Sequence, residues 1–121
     1  MKKFLVIGNP IDHSFSPKIH NYWLKKNNIT AIYEKKKINE SDLKETILDI
    51  KNEKLHGLNV TVPFKRSVIK YLDSITDIAE KTQSVNTIYK LANKIVGDNT
   101  DVGGFERSLK EINYKIQNKK I

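Results

Sequence analysis

Along this chain the apolar positions change period repeatedly, and each change marks a predicted element. Phe4 to Ile7 is an unbroken apolar run, the pattern of a short strand buried on both faces of a parallel sheet. "SPKIHNYWLKKNN" then reads as a helix, with Ser16 as its N-cap and Pro17 at the first helical position, where a missing N–H costs nothing. It should end near Asn27-Asn28. "AIYEKKKI" is a weaker strand, and "NESDLKETILDIKNEK" an amphipathic helix with Leu43, Ile47, Leu48 and Ile50 on its buried side. "HGLNVTV" alternates, so Leu58, Val60 and Val62 share one face while Asn59 and Thr61 share the other, and Pro63 stops the strand.

"FKRSVIKYL" and "TDIAEKTQS" read as short helices, and "VNTIYKL" and "KIVGDN" as two strands joined at Ala92-Asn93. "TDVGGFERSLKEIN" opens the last helix. The sum is an α/β fold: a three-layer domain with a mostly parallel mixed sheet, one antiparallel hairpin strand, and helices on both faces. A chain of 121 residues, 38% of them hydrophobic, can bury one core of that size.

Charge changes this picture little. The formal net charge is +8, which raises nucleic-acid binding, but only Arg66 and Arg107 of the 22 basic residues are arginine, and no nucleic-acid signature accompanies them. The lysines read as a solvated surface, so no nucleic-acid partner is expected. With no cysteine there is neither a disulfide nor a thiolate metal site. No apolar run has the length of a membrane span, and the first residues lead into too few apolar positions for a signal peptide, so no membrane partner is expected and the cytoplasm is the expected compartment.

Polar residues gather at comparable places: Ser14 with Ser16 after the first strand, Asn59, Thr61 and Lys65 around the third, Asn86-Thr87 in the fourth, and Asp98 to Asp101 after the fifth. Ligands of open α/β sheets sit beyond the carboxyl ends of strands, so these clusters can converge on one pocket. The Ser14 and Ser16 hydroxyls can share one side of an extended segment and bind a polyol or carboxylate; the alternative is plain helix capping. His13 and His20, split by the proposed cap, make poor metal geometry, and no metal is expected. Lys65 falls in the first turn of a predicted helix, whose positive end disfavours an ammonium ion and suits it to proton transfer, while Asp101 begins another helix, where the same dipole favours its carboxylate. "GNPIDH" lacks the repeated glycines of a dinucleotide turn, and "DVGGF" lies in a helix, so neither replaces it.

Taken in order, "GNPIDHSFSPKIHN", "GLNVTVPFK", "SVNTI" and "GDNTDVGGF" resemble the shikimate dehydrogenase family, from about Lys3 to about Leu109. The resemblance implies a substrate-binding domain over residues 1–113, with 114–121 starting the connection to an NADP-binding Rossmann domain that is not in this chain. It implies an NADP-dependent enzyme that reversibly reduces 3-dehydroshikimate to shikimate with NADPH, with little activity from this chain alone because the cofactor domain is lacking. It implies that Ser14 and Ser16 bind the substrate carboxylate, that Asn59, Thr61, Asn86 and Asp101 contact ring hydroxyls, and that Lys65 is the acid-base residue. Asp77 falls where some members carry an acidic residue near the cofactor. Gln83 and Ser84 replace the glycine and alanine usual before Val-Asn-Thr. A shikimate- or quinate-binding module without redox activity is the competing expectation, and apolar surface left by an absent lobe would favour a homodimer.

Overall fold

The structure is a computed structural model and describes residues 1–112. Six strands form one sheet: β1 (Lys2–Gly8), β2 (Ala31–Lys37), β3 (Gly57–Val60), β4 (Ser74–Ile75), β5 (Thr87–Leu91) and β6 (Lys94–Asp98). Between and after them run α1 (Ser16–Lys26), α2 (Leu43–Lys51), α3 (Asp77–Thr82) and α4 (Asp101–Glu111). The strand order is β2-β1-β3-β5-β6-β4, and β5 alone runs against its neighbours. The reversal follows from the tight turn at Ala92-Asn93, where both residues have positive φ (50° and 65°), the twist that a two-residue hairpin needs. The segment expected to connect to a second domain, 114–121, lies outside the described residues.

Alternation along β1 divides the interior. Leu5 and Ile7 join Leu58, Val60, Ile88 and Ile95 in a large apolar core, closed by Leu43, Ile47 and Ile50 of α2 and Ala79 of α3. Val6 points the other way and meets only Ile11 and Tyr33, with Phe4 and Leu24 at the margin, beneath α1. No residue of α1 is fully buried. Among the described residues no helix is long and apolar enough to cross a membrane.

Four local expectations need correcting. Ser16 is the first residue of α1 and not its cap: Phe15 already has helical geometry, and the Ser14 hydroxyl accepts the Ser16 N–H at 3.3 Å. "FKRSVIKYL" is a run of turns ending in a 3₁₀ turn at Ile69–Tyr71. Its buried Phe64 and Val68 mimic a helical period, but the backbone closes mostly onto the third residue back, as in Phe64 N–H to Thr61 C=O and Leu72 N–H to Ile69 C=O. Leu48 is exposed, and Thr46 takes the inner place because its hydroxyl donates to the Asp42 carbonyl at 2.8 Å. Val62, beyond the end of β3, is 64% exposed because the strand stops at Val60.

Candidate functional site

The loop leaving β1 is pressed onto the end of β3. Asn9 N–H donates to the Val62 carbonyl at 3.0 Å, and Thr61 N–H to that of Ile7 at 2.9 Å. A Cβ on Gly8 would stand 2.5 Å from Thr61 Cγ2, so only glycine permits this approach. Ser14 and Ser16 thereby line a cavity of about 230 Å³ together with Val6, Pro10, Ile11, His13 and Thr61.

Beside it runs a polar row across the sheet. The register sets Asn59 opposite Thr87 and Thr87 opposite Asp98. Asn59 Nδ2 donates to the Asn86 carbonyl (3.1 Å) and to Thr87 Oγ1 (3.2 Å), and Asn59 Oδ1 accepts from the Tyr33 hydroxyl (2.7 Å). Asn86 Oδ1 accepts from the Thr87 hydroxyl and the Thr100 N–H, both at 3.0 Å. Its Nδ2 donates to Thr100 Oγ1 at 2.8 Å and to Asp101 Oδ1 at 2.9 Å. Asp101 Oδ2 in turn receives Lys65 Nζ at 2.8 Å.

Lys65 is therefore not placed by a helix, and the dipole argument for it falls with the helix. It is placed by its own carbonyl, which accepts the Val85 N–H at 2.7 Å and ties the loop after Pro63 to the entry of β5. Asp101 does stand in the first turn of α4. Both side chains are partly open to solvent, as a pair that must meet a ligand requires.

The structure thus gathers Asn59, Lys65, Asn86 and Asp101 into one hydrogen-bonded set and Ser14, Ser16 and Thr61 into the adjoining cavity. Asp77 is apart: it is exposed at the start of α3 and makes no hydrogen bond to that set among the described residues. Nor do His13 and His20 belong to any group of three or more metal-ligating side chains among the described residues. His20 stacks on Tyr33 with ring centroids 4.2 Å apart, and burial lowers its pKa from the usual 6.5.

The roles of two residues escape sequence reading, although Asn99 falls inside one of the polar clusters. Tyr33 is 4% exposed and bracketed by Asn21, whose Oδ1 accepts its N–H at 2.9 Å and whose Nδ2 donates to its carbonyl at 2.8 Å. Burial pushes its phenol up to about 12, with the neighbouring Ser16 hydroxyl pulling the other way. Asn99, also buried, caps α4: its Oδ1 accepts the N–H groups of Asp101 (2.9 Å) and Val102 (3.2 Å), while its Nδ2 donates to the Ser84 carbonyl (3.1 Å). Its signal was the Asn two residues before a helix-opening Asp. The Tyr33 signal was weaker, a single aromatic residue in a lysine-rich strand.

Comparison with known proteins now adds to this geometry. The family described as shikimate dehydrogenase substrate binding domain matches residues 6–88. The NADP(+) shikimate dehydrogenase of Pelagibacter ubique is 56% identical over 119 residues, covering 98% of this chain and 45% of that protein. That of Bacillus subtilis is 44% identical over 113 residues, covering 93% and 40%. The crystal structure of shikimate 5-dehydrogenase from Listeria monocytogenes in complex with shikimate and NAD superposes with a TM-score of 0.90 at 32% identity, covering 96% of this chain and 40% of that one. The chain spans less than half the length of these relatives.

Proposed function

The chain belongs to the shikimate dehydrogenase substrate-binding domain family, and from that premise we propose that it holds the substrate, and carries the acid-base pair, of an NADP-dependent shikimate dehydrogenase. On this reading residues 1–113 form the substrate-binding domain and 114–121 begin the connection to a cofactor domain. The observation that carries the reading is the Lys65–Asp101 contact at 2.8 Å, flanked by Asn86 and adjoining the two-serine cavity.

The roles follow from the donors and acceptors available. Ser14 and Ser16 hydroxyls donate to the ring carboxylate, and Thr61, which lines the same cavity, contacts a ring hydroxyl. Asn59 meets a ring hydroxyl through its free lone pair, and Asn86 does so by exchanging one of its four present partners for the ligand. Lys65 Nζ gives a proton to the ring oxygen as the ketone is reduced and recovers it in the reverse direction; Asp101 holds the ammonium group and accepts from the neighbouring hydroxyl.

The cofactor would supply a hydride as NADPH and accept one as NADP in the reverse direction, but the residues here do not fit its pyrophosphate. Gly8 is packed against Thr61, and Gly103 and Gly104 lie inside α4, so no glycine-rich strand-to-helix turn exists among the described residues. Asp77 would at most border the cofactor. The same lack of a phosphate turn favours a second reading, a shikimate- or quinate-binding module without redox activity of its own.

Calorimetric titration of the 121-residue chain with shikimate, and separately with NADP, tests the proposal. Saturable shikimate binding is expected, weakened more than about tenfold in Ser14→Ala/Ser16→Ala because bonds to a charged group are each worth about 1.5–3 kcal/mol. NADP should give no saturation. A chain that fails to saturate at millimolar shikimate overturns the proposal.

A further inference from the structure

Tyr33 lies at the junction between the serine cavity and the Lys65–Asp101 end, and the direction of every hydrogen bond around it is forced. The Asn86 carbonyl can only accept, so the Asn59 group facing it at 3.1 Å is Nδ2. Asn59 Oδ1 therefore faces Tyr33 at 2.7 Å, and the phenol must be the donor. Thr87 Oγ1 accepts from Asn59 Nδ2 and donates to Asn86 Oδ1, and Asn86 Nδ2 donates to Asp101. All these bonds run one way, from the Tyr33 hydroxyl to the Asp101 carboxylate, where the chain meets Lys65.

We infer that Tyr33 is a positioning residue whose hydroxyl, with the Asn86 carbonyl, holds the Asn59 amide in place, so that Asn59 offers a ligand only an acceptor lone pair and recognises a ligand hydroxyl, never a carbonyl or carboxylate oxygen. Both Asn59 amide hydrogens are already spent, on Asn86 and Thr87. Tyr33 can hold this orientation because it is itself held, by His20 stacked on its ring and by Asn21 on both sides of its backbone. The inference deepens the proposed substrate reading and rests on it for the identity of the ligand.

Tyr33→Phe keeps the ring, its stacking and the backbone bonds while deleting the one donor. In the 121-residue variant the Asn59 side-chain amide resonances should shift, and the absorbance step of a phenol ionising near pH 12 should vanish. Shikimate affinity should fall about five- to tenfold, the loss of one neutral hydrogen bond. That loss should disappear when Tyr33→Phe is made in Asn59→Ala, whereas a merely structural role would leave the two losses additive. Unchanged Asn59 resonances, or additive losses, overturn the inference. If the unaltered chain does not bind shikimate, the substrate reading fails, and the amide resonances still decide whether Tyr33 orients Asn59.

Discussion

Seen from α2, the sheet presents Leu5, Ile7, Leu58 and Ile88; seen from α1, it presents Tyr33, Asn59 and Thr87. The first face is closed by α2 and α3 into a continuous apolar core. The second is covered by a helix that buries none of its own residues and leaves Ile19, Tyr22 and Trp23 more than half exposed. Stability is thus concentrated on one side and chemistry on the other. A polar row can lie across the second face because the first does the work of burying apolar surface.

The largest test of this division is truncation on the apolar side. Ile88→Ala empties a fully buried position in the reversed strand and should cost about 3 kcal/mol in urea unfolding, whereas Tyr22→Ala on α1 should stay within about 0.5 kcal/mol. Comparable losses from the two would erase the contrast. Gly8→Ala probes the seam between the faces: its methyl group would stand 2.5 Å from Thr61 Cγ2 and 3.1 Å from the Val62 carbonyl, costing about 1–3 kcal/mol and weakening shikimate binding by displacing Thr61. An alanine variant with unaltered stability and affinity would show that the loop yields freely there.

The smallest effect concerns acidification of the α1 side. Because burial lowers the pKa of His20, the fold favours its neutral form; the resulting stabilisation is present above the unfolded value of 6.5 and is lost as pH falls through the folded value. The ring proton resonances of His20 should titrate with a midpoint below 6.5. A midpoint at or above that value would mean that the imidazole is as well solvated as a free one.

Most of the fold was legible because its elements announce themselves by period: the apolar run of β1, the amphipathic α2, and the alternation of β3 that put Asn59 and the buried leucine on opposite faces. The polar clusters were legible for the same reason, since each sits at the end of a strand. What escaped were contacts that depend on pairing between distant segments. Nothing near Tyr33 says that β2 will lie beside β1 and carry the phenol to Asn59, 26 residues away. The segment around Lys65 reads as a helix, yet turns bury Phe64 and Val68 at the same four-residue spacing. Gln83, at φ 51°, closes α3 in the left-handed conformation that glycine adopts more cheaply. Position in sequence identified that glycine's replacement; only the backbone explains what it does.

The strand order has one more consequence, for how copies of this protein meet. β2 and β4 are the borders of the sheet, and an uncovered border is a template for a strand from another molecule. Here β4 has two residues, too few to recruit a partner, and β2 runs out through Glu34, Lys35, Lys36 and Lys37, all exposed. A second copy brought edge to edge along β2 would have to bring two lysine-rich segments together. The same lysines that give the sequence its basic charge thus guard this border of the sheet, and one of them, Lys35, also reaches the Asp12 carbonyl in the loop that carries the two serines.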